Sequence, residues 1–112
     1  MGAEQTSRVA ALRRVLAPDG HRYAMLWFWC PGCDEAHAVT VQADEGHVGP
    51  RWQWNGDIEA PGVEPSINCN PDHADVRCHS FLRNGVMEFL DDCGHKLRGK
   101  HALAELPEWL KD

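Results

Sequence analysis

Two hydrophobic rhythms run through this chain. Over "SRVAALRRVLAP", Val9, Leu12, Val15 and Leu16 recur at near-helical spacing, with arginines around the remaining face. Ser7 can cap such a segment, and Pro18-Asp19-Gly20 would end it. This predicts a short amphipathic helix from Ser7 to Leu16. Residues 1–22 are accordingly read as an N-terminal helix and linker, and 23–112 as a β-rich domain.

From Tyr23 onward the period shortens to two. "RYAMLWFWC" is a continuous apolar run that fits one buried strand. "AHAVTVQA" alternates after the turn at Pro31-Gly32, so Cys30 and Cys33 fall at the mouth of a β-hairpin. "RWQWNGD" alternates again and stops at Asn55-Gly56. The proline-rich "IEAPGVEPSINCNPDHAD" reads mainly as loop, with a short strand near Ser66-Ile67. "KHALAELPEW" allows one helical turn from Ala102 to Leu106, ahead of Pro107.

The strongest local signal is "CHSFLRNGVMEFLDDCGH". Asn84-Gly85 is a two-residue hairpin loop, which pairs Arg83 with Val86. Counting outward, Leu82 faces Met87, Ser80 faces Phe89, and Cys78 lies opposite Asp91. Because the pleat repeats every two residues, 78, 80 and 82 share one face with 87, 89 and 91. The open end of this hairpin then gathers Cys78, His79, Cys93 and His95. The predicted fold class is mainly β (a small α+β domain), zinc-stapled β-hairpins with an added N-terminal helix.

Composition narrows the function. The 112 residues suit one domain with a modest core. A net charge of −6 argues against a general nucleic-acid binder, although "HKLRGKH" is locally basic. No apolar run is long enough to span a bilayer and no secretory pattern opens the chain. A soluble cytoplasmic protein is therefore expected. Five cysteines cannot all pair, and without a secretory signal clustered Cys and His read better as metal ligands than as disulfides.

For Cys30 and Cys33, a redox pair would want a helix N-terminus to lower a thiol pKa, and the residues that follow alternate as a strand. Simple packing does not account for two cysteines flanking Pro-Gly together with a distant Cys-His hairpin end. Metal binding accounts for both, since Gly32 permits a tight knuckle and zinc takes four sulfur or imidazole ligands. The expected ligands are Cys30, Cys33, Cys78 and Cys93, with His95 or His79 able to replace one of the last two. The expected cofactor is Zn2+. His37, His79, His95 and Asp92 could make a second site or a catalytic group near the first. Trp52, Trp54 and Asp57, with His37, could form a binding wall, although tryptophans at such spacing more often belong to a core. Cys69 has no partner at ligand spacing.

The blocks "FWCPGCDEAH", "WQWNGD", "PSI", "CHSFLRNGVMEFLDDCGHKLRGK" and "LPEW" together resemble a small domain family of tailed phages and prophages. Some members carry the label ammonia monooxygenase, and relatives occur in operons with ubiquitin-like conjugation genes. The resemblance implies that Cys30, Cys33, His37, Trp54, Asp57, Ser66, Cys78, His79, Asp92, Cys93 and His95 are recurrent positions, with Ser often in place of Cys93. The label itself does not fit, because that enzyme class needs spanning helices and copper ligands absent from this chain. The resemblance implies phage origin and metal binding but no activity. The expected function is thus a zinc-binding, zinc-ribbon-like adaptor that binds a protein partner in the host cytoplasm. The alternatives are a zinc-dependent or Cys-His hydrolase, with His79 or His95 as ligand and Asp92 or Asp57 as base, and a zinc-ribbon-like nucleic-acid binder.

Overall fold

Two antiparallel sheets form the framework of the computed structural model, which describes residues 8–44 and 49–111. The first sheet runs β1 (Ala10–Leu16), β2 (Arg22–Cys30), β3 (Glu35–Ala43), in that order. The second runs β4 (Gln53–Trp54), β5 (Val63–Cys69), β6 (Cys78–Arg83), β7 (Val86–Phe89), β8 (Gly99–Ala102). A single helical turn, α1 (Glu108–Lys111), follows. No helix among the described residues is long and apolar enough to cross a membrane.

The apolar runs face each other across the two sheets. Leu26, Phe28, Cys30 and Val39 of the first pack with Val63, Ile67, Cys78, Leu82, Met87 and Phe89 of the second. Alternation explains the division: Leu26, Phe28 and Cys30 point into this core, and Trp27 and Trp29 point to the other face. That second face is covered by Ala11, Leu106 and Leu110. Both faces of β2 are thus occupied, which is why its sequence is apolar without interruption.

Two predicted elements change type. The helix expected from Ser7 to Leu16 is not formed: Ala10–Leu16 is an edge strand paired with β2, Ala10 opposite Phe28 and Leu12 opposite Leu26. Ser7 lies outside the described residues. A helix this short is marginal alone, and the edge of β2 offers a full ladder of hydrogen bonds instead. Ala10 and Ala11 are both buried, on opposite faces of the sheet, which only a strand allows. The helical turn expected at Ala102–Leu106 moves beyond Pro107, to Glu108–Lys111. A proline at a helix start loses nothing, because its missing N–H would have been unpaired there. β5 is also longer than the short strand expected around Ser66, because β6 pairs along it from Val63 to Cys69.

The hairpin register stands as predicted near the loop, where Arg83 pairs with Val86, Leu82 with Met87 and Ser80 with Phe89. β7 ends at Phe89, so the expected pairing of Cys78 with Asp91 is not formed. Asn84 and Gly85 both adopt positive φ, 51° and 76°, as a two-residue type I′ loop requires. A Cβ on Gly85 would stand 3.3 Å from the Ala60 Cα, so both backbone angle and space oppose a side chain. Gly85→Ala should therefore lower stability by about 1–2 kcal/mol, a fall of several degrees in melting temperature by circular dichroism. An unchanged melting temperature would contradict this account of the loop.

Candidate active site and metal centre

The β2–β3 turn brings Cys30 and Cys33 together, and the Cys33 N–H points at Cys30 Sγ at 3.4 Å. Asp34 closes the turn with φ of 55° and an N–H donated to the Cys30 carbonyl. Cys78, at the start of β6, faces inward across the core, its sulfur 3.8 Å from that of Cys30. His37 of β3 completes the group. One donor atom from each of Cys30, Cys33, His37 and Cys78 lies within 4.8 Å of all the others, so these four could hold a metal ion. The His37 Nδ1 is 3.5 Å from Cys69 Sγ, and its Nε2 is buried with no hydrogen-bond partner.

A second group, Cys78, Cys93 and His95, meets the same distance criterion and shares Cys78 with the first. The His95 ring lies over the knuckle: a Cβ on Gly32 would come within 2.3–2.7 Å of it. His95 Nε2 is 3.6 Å from Cys78 Sγ, and Nδ1 is buried without a partner. The five cysteines are all free thiols.

Burial and proximity set the charge of the first group. The Cys78 thiol donates to Cys30 and holds Cys30 well below the usual thiol range, with help from His37 and the Cys33 N–H against the penalty of burial. Cys78 is pushed strongly upward as that donor, and by burial. Burial and the neighbouring Cys30 thiolate push Cys33 up to about 12. Burial works to lower His37, but the neighbouring Cys30 and Cys69 sulfurs outweigh it and raise it to about 10. In the metal-free centre the Cys30 thiolate is thus balanced by the His37 imidazolium, with Cys33 and Cys78 as thiols, and a bound cation would take the place of their protons.

The next residue along β6 points the other way. His79 emerges on the outer face, and its two ring nitrogens have different partners. Nε2 is 3.3 Å from Ser66 Oγ on β5, and Nδ1 is 3.2 and 3.3 Å from the two Asp92 carboxylate oxygens. Ser66 belongs to a segment between Val63 and Ile67 where β5 slips out of register with β6. The slip leaves its side chain beside His79, whose direct cross-strand partner is Asn68. The His79 and Asp92 side chains are 26% and 45% exposed, so solvent and substrate can reach the group. Desolvation is the largest single influence on Asp92 and opposes its ionisation, but the His79 hydrogen bond and charge, with the Arg77 charge, together hold its carboxyl below the usual range. A hydroxyl on one imidazole nitrogen and a carboxylate on the other is the connectivity of a Ser-His-Asp triad.

The structure therefore separates residues that the sequence grouped. His79, expected as a replacement ligand, bonds to Ser66 and Asp92 and belongs to neither sulfur group. Cys93, an expected ligand, lies near Cys78 but its thiol donates to the His79 carbonyl. His37, expected in a binding wall or second site, joins the cysteines. Cys69, left without a role, supports His37. Trp52 and Trp54 pack against the core, and Trp52 Nε1 donates to the Ser66 carbonyl. Asp57 accepts N–H bonds from Glu59 and Ala60, so the Asn-Gly-Asp segment builds a loop. Ser66 as a functional hydroxyl was missed in the reading of spacing: it lies in a proline-rich stretch with no nucleophile motif around it. The available signal was the family resemblance, which implied Ser66, His79 and Asp92 as recurrent positions.

No curated protein and no solved structure shows significant similarity to the chain. A family model described as bacterial ubiquitination-like system serine protease, BubE, matches residues 3–90. That span includes Ser66 and His79 and ends two residues before Asp92. With most of its length matched, the chain belongs to the BubE family, in agreement with the resemblance to relatives near ubiquitin-like conjugation genes.

Proposed function

We propose that this chain is a serine protease of a bacterial ubiquitination-like system, with Ser66 as nucleophile, His79 as general base and Asp92 as the group that orients the base. The observation that carries this reading is the continuous contact from Ser66 Oγ through the His79 ring to Asp92. The family's description supports the same chemistry and a protein of that system as substrate. The adaptor role expected from the sequence gives way to hydrolysis. The partner expected there becomes the substrate.

The steps follow from the hydrogen bonds. Asp92 accepts from Nδ1–H, which leaves Nε2 as the lone-pair nitrogen facing Ser66. Ser66 Oγ attacks the carbonyl carbon of the scissile peptide as its proton passes to Nε2. The tetrahedral adduct collapses, the amine departs with the Nε2 proton, and an acyl ester remains on Ser66. Water then gives a proton to Nε2 and attacks the ester; the acid leaves, and the proton returns to Ser66 Oγ. Asp92 stays ionised throughout and stabilises the imidazolium.

The metal centre has a separate, structural role in this reading. Zinc fits its donors: tetrahedral Zn–S bonds of about 2.3 Å place two sulfurs roughly 3.8 Å apart, which is the Cys30–Cys78 separation. Cys30, Cys33, Cys78 and His37, through its unpartnered Nε2, would hold the ion. A full shell of four leaves no open position, so the bound ion would fasten the β2–β3 turn to β6 without taking part in the hydrolysis. Phage origin and a cytoplasmic setting in the host remain part of the proposal.

Turnover of p-nitrophenyl acetate tests the triad. Ser66→Ala should lower kcat by several orders of magnitude, to the residual rate that remains when a triad member is removed, and Asp92→Asn should lower kcat by about 10⁴-fold, because Asn favours the wrong tautomer. A Ser66→Ala protein as active as the parent would refute the assignment. For the metal, Cys30→Ser should lose zinc by elemental analysis and be largely unfolded at 37 °C. Structural zinc contributes an apparent ~10–16 kcal/mol, comparable with the whole stability of a small domain. Unchanged metal content and melting temperature would remove the structural role.

A further inference from the structure

The proposed triad needs His79 held in place along the strand as well as by its ring. β7 ends at Phe89, just short of a regular partner for the His79 main chain. The chain then turns through Leu90–Cys93, closed by a Cys93 N–H bond to the Leu90 carbonyl. Leu90 N–H donates to the His79 carbonyl, and Gly94 N–H to the Arg77 carbonyl at 2.7 Å. A Cβ on Gly94 would come within 2.4–2.5 Å of the Ala74 and Asp75 carbonyl oxygens, so the turn is pressed against the segment leading into β6.

Between these bonds lies Cys93, buried in the core. Its sulfur accepts the His79 N–H at 3.3 Å and donates its own hydrogen to the His79 carbonyl at 3.2 Å. One thiol therefore holds both main-chain groups of the residue whose ring is the proposed base, as the acceptor for its N–H and as a second donor, beside Leu90 N–H, to its carbonyl. Such a group needs a donor and an acceptor at one atom, which a thiol or hydroxyl supplies and a methyl does not. Cys93 also directly follows Asp92, so the same side chain fixes the turn from which the carboxylate reaches Nδ1.

We infer that Cys93 is a positioning residue of the protease: its thiol clamps the His79 main chain and sets the Ser66–His79–Asp92 geometry, apart from the metal shell. This rests on the triad reading above. It also gives Cys93 a role different from the ligand role expected of it in the sequence.

Saturable labelling by a fluorophosphonate probe tests the clamp, comparing Cys93→Ala, Cys93→Ser and Ser66→Ala with the parent. In the labelled product a Ser66 Oγ–P bond replaces the P–F bond, fluoride leaves, and His79 takes the serine proton. Cys93→Ala should slow the maximal labelling rate about 10²-fold, the scale of an ångström of misplacement, with half-saturating probe concentration and metal content unchanged. Cys93→Ser, which keeps a donor and an acceptor, should recover to within a few-fold of the parent. Loss of metal from Cys93→Ala would make Cys93 a ligand and overturn the clamp, as would parental labelling by that variant. A folded Cys93→Ser protein that labels slowly would overturn it too, even if the alanine variant does not fold. Labelling of Ser66→Ala at the parental rate would instead sink the triad reading beneath it.

Discussion

The pleat of β6 is the constraint on which the rest of this structure depends. Successive side chains of a strand point to opposite faces, so Cys78 must face the core if His79 faces solvent. Cys78 meets Cys30, Cys33 and His37 inside, and His79 meets Ser66 and Asp92 outside. The same pairing recurs where the chain returns, with Asp92 on the outer group and Cys93 buried beside it. A one-residue slip of β6 would exchange the faces and dissolve both arrangements. The Asn84-Gly85 loop prevents that slip, because its positive-φ geometry admits only one register.

The two groups also need opposite surroundings. A buried set of sulfurs and an imidazole gains from low dielectric once a cation is present, and is costly without one. A nucleophile and its base must instead be reachable by a protein substrate and by water. Placing them back to back on one strand meets both demands within a chain whose core is small. In the proposed reading, a metal staple at Cys78 would fix the backbone one residue from the proposed base, and stability and activity would be coupled through the main chain.

The legible parts of the fold were those set by local chemistry. Asn84-Gly85 declared the hairpin and its register, and Pro31-Gly32 between two cysteines declared the knuckle. β1 was misread because Val9, Leu12, Val15 and Leu16 satisfy a helical period, whereas the open edge of β2 that captures Ala10–Leu16 is not visible in that segment. The sulfur centre was legible in part: Cys30, Cys33 and Cys78 followed from spacing and register, but His37 depends on how the two sheets pack. Ser66 was the hardest to find. It reaches His79 only because β5 slips against β6 between Val63 and Ile67, a feature of pairing that no local pattern announces.

A crystal structure of the protein after reaction with a fluorophosphonate, with anomalous data at the zinc edge, addresses the central claim in one measurement. The account predicts a phosphorus adduct on Ser66 Oγ with His79 Nε2 beside it and Asp92 on Nδ1. It also predicts an anomalous peak among Cys30, Cys33, Cys78 and His37, on the other side of β6. An adduct on any other residue, or a metal bound by His79, would contradict the division of labour between the two faces of that strand.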